Sequence, residues 1–315
     1  MPQRTARVAC CTLAAVLLAM GTPGVSAQSD TAASSRDSAS WIRVLPTRAW
    51  FRPPVADPLE PRFSVGLLQT DILSRQGPER APFPITDPED AERDLVAAVA
   101  LGLTIPLYDL ARWPGGGLLL TGHAAVFSRF RIEYPSRDDM GQDWVVGGGL
   151  EAQWHEWSGR LRIHHRSSHL GDEFAQATGA TRIEFGGEAI EAMTSYALLP
   201  GARVYGGGGW IFHSNTAAET VLATLGRDDR WTAQLGGDLE THPWAGGRLG
   251  LRAGVDWQTA QRTSWRSAFA AAAGIDVRGH NSMGLMARYF TGPSTMGEFF
   301  LTKESYWSLE LTFRF

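Results

Sequence analysis

The chain has 315 residues, a formal net charge of -4 and 20% charged residues, enough for one large domain or a barrel and without the basic excess that nucleic-acid binding requires. Its two cysteines, Cys10 and Cys11, sit in the N-terminal apolar stretch, so the remainder folds without disulfides. No later stretch has the roughly 20 consecutive apolar residues of a membrane helix, so a membrane location requires a closed sheet.

Taken in order, Arg4 and Arg7 precede an apolar run from Val8 to Met20 and the small residues Val25-Ser26-Ala27, which predicts a signal peptide over 1–27. Residues 28–61 open rich in serine, alanine and aspartate and then carry Pro46, Pro53, Pro54, Pro58 and Pro61. Proline gives no amide proton to a ladder, so this reads as a flexible periplasmic leader, extended below the barrel or serving as a plug. From 62 to 315 apolar and polar residues alternate at period two, the pattern of strands whose faces meet different surroundings.

The clearest run is the last, with Trp307, Leu309, Leu311, Phe313 and Phe315 against Ser308, Glu310, Thr312 and Arg314. Another sets Leu249, Leu251, Ala253, Val255 and Trp257 against Arg248, Arg252 and Asp256. About twelve such runs are found, separated alternately by short links such as Pro200-Gly201 and by longer ones such as 71–92 and 171–183. Tryptophans at 144, 154, 210, 231, 257, 265 and 307 fall near strand ends, where an aromatic girdle sits. The predicted fold is therefore all-β, a transmembrane antiparallel up-and-down barrel of about twelve strands in a bacterial outer membrane. Apolar residues face lipid, and the mixed charges (Arg129, Arg131, Glu151, Arg160, Arg162, Glu191, Arg203, Asp238, Arg288) face the lumen.

Gly159 to Glu173 puts Leu161, Ile163, His165, Ser167 and His169 on the lipid face, with Arg160, Arg162, His164 and Arg166 on the other. Ser167 stands roughly 20 Å up the wall, near the outer rim of an apolar band about 25 Å tall. Polar side chains are costly there, so a row of three calls for an explanation. Serine becomes a nucleophile when a base takes its proton and a third group orients that base. His165 or His169 is the candidate base, and Glu184 or Glu188, on the same outward parity of the next strand, the candidate orienting group. His165 and His169 have α-carbons about 13 Å apart and cannot share one metal ion. Asp172 and Glu173 are the candidates for calcium in the following loop. The default reading is an integral barrel acting as scaffold or narrow polar channel; the alternative is a serine esterase acting on outer-membrane lipid acyl chains.

His165-Arg166-Ser167 resembles the His-x-Ser element of outer-membrane phospholipase A and lipid A deacylase, families whose sites face lipid from the barrel exterior. The phospholipase pattern continues with Asn-Gly where this chain has Ser168-His169, so the resemblance assigns neither an oxyanion donor nor the usual asparagine partner. Three further pieces, Phe51-Arg52-Pro53-Pro54 with Ala56-Asp57-Pro58, Arg162 to Glu173, and Tyr289 to Ser294 with Gly297-Glu298-Phe299, resemble a bacterial outer-membrane family catalogued as domain of unknown function twelve-oh-seven. Arg166 stands where that family leads us to expect glutamine. The resemblance implies a barrel and brings no activity with it.

Overall fold

The computed structural model describes residues 45–46, 49–72, 93–134, 137–180, 182–215, 230–279 and 281–314; the signal peptide expected over 1–27 lies outside them. All belong to one compact unit, Ser40–Phe315. Its strands are β1 (Phe63–Thr70), β2 (Asp94–Trp113), β3 (Gly116–Arg131), β4 (Asp139–Trp154), β5 (Trp157–Leu170) and β6 (Gly186–Leu199), then β7 (Ala202–Ser214), β8 (Trp231–Trp244), β9 (Leu249–Ala260), β10 (Ser267–Arg278), β11 (Ser282–Pro293) and β12 (Lys303–Arg314). Each pairs antiparallel with its sequence neighbours, and β1 closes on β12 with Phe63 opposite Phe313 and Thr70 opposite Tyr306. Closure leaves no sheet edge unpaired, which is the condition for backbone in hydrocarbon.

The parity is that of a membrane barrel. On β12, Trp307, Leu309 and Leu311 are 55%, 55% and 41% exposed, while Ser308, Glu310 and Thr312 between them are buried. A soluble barrel of the same pattern turns its apolar rows inward; here Arg129, Arg160, Arg162, Arg203 and Arg288 are the buried ones. Tight turns join β2 to β3, β4 to β5 and β6 to β7 at one end. At the β6–β7 turn Gly201 has φ 85°, and a Cβ there would lie 2.1 Å from the Glu240 carbonyl oxygen, so only glycine fits. Exposed Trp154, Trp157 and Trp244 ring this end, and exposed Trp144, Trp210, Trp231 and Trp307 ring the other. Arg248, expected to point inward, is exposed, because a 3-10 turn over Ala245–Gly247 interrupts the alternation between β8 and β9.

Residues 49–62, from the segment expected to be either a periplasmic leader or a plug, are packed inside the barrel. Few of their amides can enter a ladder, so side chains of the wall satisfy them instead. Glu151 Oε2 accepts the Trp50 and Phe51 amides at 2.9 Å each. Asp238 Oδ1 accepts the Val55 amide at 2.9 Å, and Arg288 donates to the Val55 carbonyl at 3.0 Å. Glu60 receives Arg160 at 2.9 Å and Arg162 at 3.0 Å. Burial by itself would raise the Glu60 carboxyl, but the two guanidiniums outweigh it and hold it at about 2. Phe51 lies between the guanidinium groups of Arg160 and Arg203, 4.7 and 4.8 Å from its ring centroid.

At the opposite mouth the β11–β12 connection is bonded to the inner wall. Asp143 on β4 accepts the Gly297 amide at 3.1 Å as well as Ser168 Oγ–H and the Arg166 guanidinium. Glu298 accepts the Ile183 amide at 2.7 Å and the Phe185 amide at 3.3 Å, and its own amide donates to Ser168 Oγ at 3.0 Å. These bonds fix the end of β5 and the start of β6 from within.

Candidate functional site

The outer faces of β5, β6 and β7 carry a polar patch. β5 and β6 run in register with His165 opposite Glu188 and Ser167 opposite Gly186. The Ser168 amide donates to the Phe185 carbonyl at 2.8 Å, and bonded and non-bonded pairs alternate from there, so His165–Glu188, three pairs along, is the close, non-hydrogen-bonded kind. That spacing brings the His165 and Glu188 side chains together, and Nδ1 of His165 lies 2.8 Å from Glu188 Oε1. In the tautomer whose Nδ1–H donates to the carboxylate, Nε2 is the basic nitrogen.

Ser167 is half-buried on the same face, two residues nearer the outer rim and beside Trp144, which is 51% exposed. Ser167 Oγ makes no hydrogen bond to His165 or His169 among the described residues. The two β5 positions are i and i+2, about 7 Å apart at Cα. His169 is exposed opposite Gln142, with no carboxylate partner among the described residues. Glu184 lies in the loop before β6 with φ 52°, so Glu188 is the carboxylate that reaches a histidine.

The sequence did not reveal His213. Counted by alternation, it should share the lumen with Arg203 and Tyr205. The β6–β7 ladder, however, shifts register between Glu188 and Ala189, pairing Glu188 with His213 and Ala189 with Ile211. The extra residue, Phe212, turns His213 outward, where its Nδ1 bonds the second oxygen of Glu188. Glu188 thus bridges two histidines across three strands.

Asp172 and Glu173 open a short helix, α1 (Asp172–Thr178), and Asp172 pairs with Arg182. That arrangement supplies no converging oxygen cage for calcium. Among the described residues three ligating groups converge elsewhere, at Glu240, His242 and Asp276 in the lumen. Arg278 and Arg314 already bond Glu240 at 2.7 and 3.1 Å, and Arg314 bonds Asp276 at 2.6 Å, so guanidinium groups fill the place of a cation.

Solved structures with similar folds include the outer membrane phospholipase dimer of Salmonella typhi with bound calcium, at TM-score 0.51 and 12% identity over 81% of this chain and 93% of that one. Outer membrane phospholipase A from Escherichia coli gives TM-score 0.51 and 14% identity over 82% and 98% of the two chains. These likenesses establish the outer-membrane barrel fold. No curated protein matches the sequence. The family model described as "Protein of unknown function (DUF1207)" matches residues 19–315, and the chain belongs to that family.

Proposed function

We propose that this outer-membrane barrel is a lipid-directed serine esterase, with Ser167 as nucleophile, His165 as base and Glu188 as the group that orients the base. The observation that carries this reading is the 2.8 Å bond from His165 Nδ1 to Glu188, formed on the lipid face with Ser167 two residues along the same strand. A carboxylate on Nδ1 fixes the tautomer whose Nε2 can take a proton. Ser167 Oγ attacks the ester carbonyl carbon while its proton passes to His165 Nε2, and the carbonyl π pair moves onto oxygen. Collapse expels the alcohol, which takes the proton from His165 and leaves an acyl-Ser167. Water, deprotonated by His165, then releases the fatty acid and restores the serine.

A patch near the outer rim meets acyl esters at the boundary of headgroup and hydrocarbon, so the substrate class is a phospholipid or the acylated glycolipid of the outer leaflet. The channel reading has less support, because residues 49–62 are ion-paired across the lumen. Refolded protein is expected to cleave phospholipid or lipid A esters, and Ser167→Ala and His165→Ala each to abolish cleavage. Wild-type protein inactive on both lipid classes, with and without calcium, overturns the reading.

A further inference from the structure

The reading above leaves the developing oxyanion without a donor. We infer that Asn215, through its side-chain amide, is that donor, acting across a gap kept open by Gly186. The inference rests on the esterase assignment and adds the group that stabilises its transition state.

Ser167, Gly186 and Asn215 form one row across three strands, two residues nearer the rim than the row of His165, Glu188 and His213. Ser167 pairs with Gly186. The Asn215 amide donates to the Gly186 carbonyl at 3.0 Å, continuing the register that sets Ser214 opposite Gly187 and His213 opposite Glu188. Gly186 shares the outward parity of Glu188, and Asn215 that of His213, whereas Ser214 between them is buried on the lumen side. A Cβ placed on Gly186 would lie 3.5 Å from Asn215 Nδ2, so the amide nitrogen leans over the glycine toward Ser167.

Among the described residues the middle of the row thus has no side chain of its own, only the Asn215 amide reaching over it. Neighbouring strands stand roughly 5 Å apart, so the α-carbons of Ser167 and Asn215 flank a space about 10 Å wide with only backbone at its floor. An ester carbonyl laid in that space offers its carbon to Ser167 Oγ and its oxygen to the Asn215 amide. When Oγ adds, the oxygen gains charge and the Nδ2–H donors are on its side. Such a donor acts most strongly where water is excluded. The bulge that turns His213 outward also sets the parity of Asn215, so one irregularity of β7 supplies both the second partner of Glu188 and the oxyanion donor.

The test uses the refolded full-length barrel with a short-chain ester in detergent. Asn215→Ala is expected to lower kcat roughly 100- to 1000-fold with KM within about threefold, the signature of a contact made in the transition state. Asn215→Asp, which keeps the size but replaces the donor with a second negative charge, is expected to be at least as slow. Gly186→Ala makes only ordinary contacts, at 3.5 Å from the Arg166 carbonyl oxygen, so the barrel tolerates it while the gap narrows; kcat is expected to fall at least tenfold. An active wild type abolished by Ser167→Ala, with Asn215→Ala and Asn215→Asp both near wild-type kcat, overturns the donor and leaves the esterase standing. An inactive wild type overturns both.

Discussion

Ser167 and Ser168 are adjacent on β5 and face opposite worlds. Ser168 is 2% exposed on the lumen side; its Oγ donates to Asp143 and accepts the Glu298 amide at 3.0 Å, tying β4, β5 and the β11–β12 connection together. Ser167, on the lipid side, makes no hydrogen bond among the described residues. The same division runs through the molecule. Inside, polar groups are numerous and many are matched, as the cost of about 1–3 kcal/mol for an unpartnered buried polar group favours, although buried atoms such as Asp109 Oδ1 and His123 Nδ1 make no hydrogen bond among the described residues. Outside, Glu188 and its two histidines, with Ser167 and His169 beside them, stand on a wall that is largely apolar. Polarity on the inner wall bonds the strands to one another and to residues 49–62, whereas the polar row on the outer wall is the one to which the proposed esterase assigns its chemistry.

Substitutions on the two walls should therefore separate activity from stability. The largest effect is expected at Glu188: removing the partner of His165 should lower ester cleavage by Glu188→Ala roughly 100- to 10,000-fold, with urea unfolding in lipid vesicles nearly unchanged. A destabilised but active variant would assign Glu188 to the fold instead. On the inner wall, Glu60→Ala strands Arg160 and Arg162 in the lumen and should cost about 3–5 kcal/mol, read as a lowered urea midpoint. A midpoint equal to wild type would mean that residues 49–62 do not brace the barrel. Between the two serines, Ser168→Ala should cost about 1–3 kcal/mol, whereas Ser167→Ala should stay within about 0.5 kcal/mol of wild type; equal costs would erase the contrast.

The smallest effect is a pH dependence. Glu60 is held at about 2, below its ordinary 4.5, so its ionised form is favoured in the folded state. The resulting stability is present in full above about 4.5 and is lost as pH falls toward 2. The stability difference between wild type and Glu60→Gln should shrink over that window. A difference that stays constant would remove the ion pair as its source.

The barrel was legible in the sequence because period-two alternation survives in nearly every strand. The outward placement of His165, Ser167 and Glu188 was legible for the same reason: none lies beyond an irregularity that alters their parity. His213 and Asn215 were not, since one extra residue at Phe212 inverts every side chain after it and no composition signal marks a bulge. The packing of 49–62 into the lumen was only half visible. Its prolines forbid a ladder, but the partners of its remaining amides are carboxylates on distant strands, Glu151 and Asp238. The calcium candidates Asp172 and Glu173 looked like a solvated loop, yet Phe174 buries against Phe299 and draws that segment into a helix.

The most direct test is covalent labelling of the refolded barrel with a long-chain alkyl fluorophosphonate, followed by peptide mass spectrometry. The account predicts one adduct, on Ser167, that persists in Ser168→Ala and disappears in Ser167→Ala and His165→Ala. A barrel that remains unlabelled, or that carries the adduct on another residue, would contradict it.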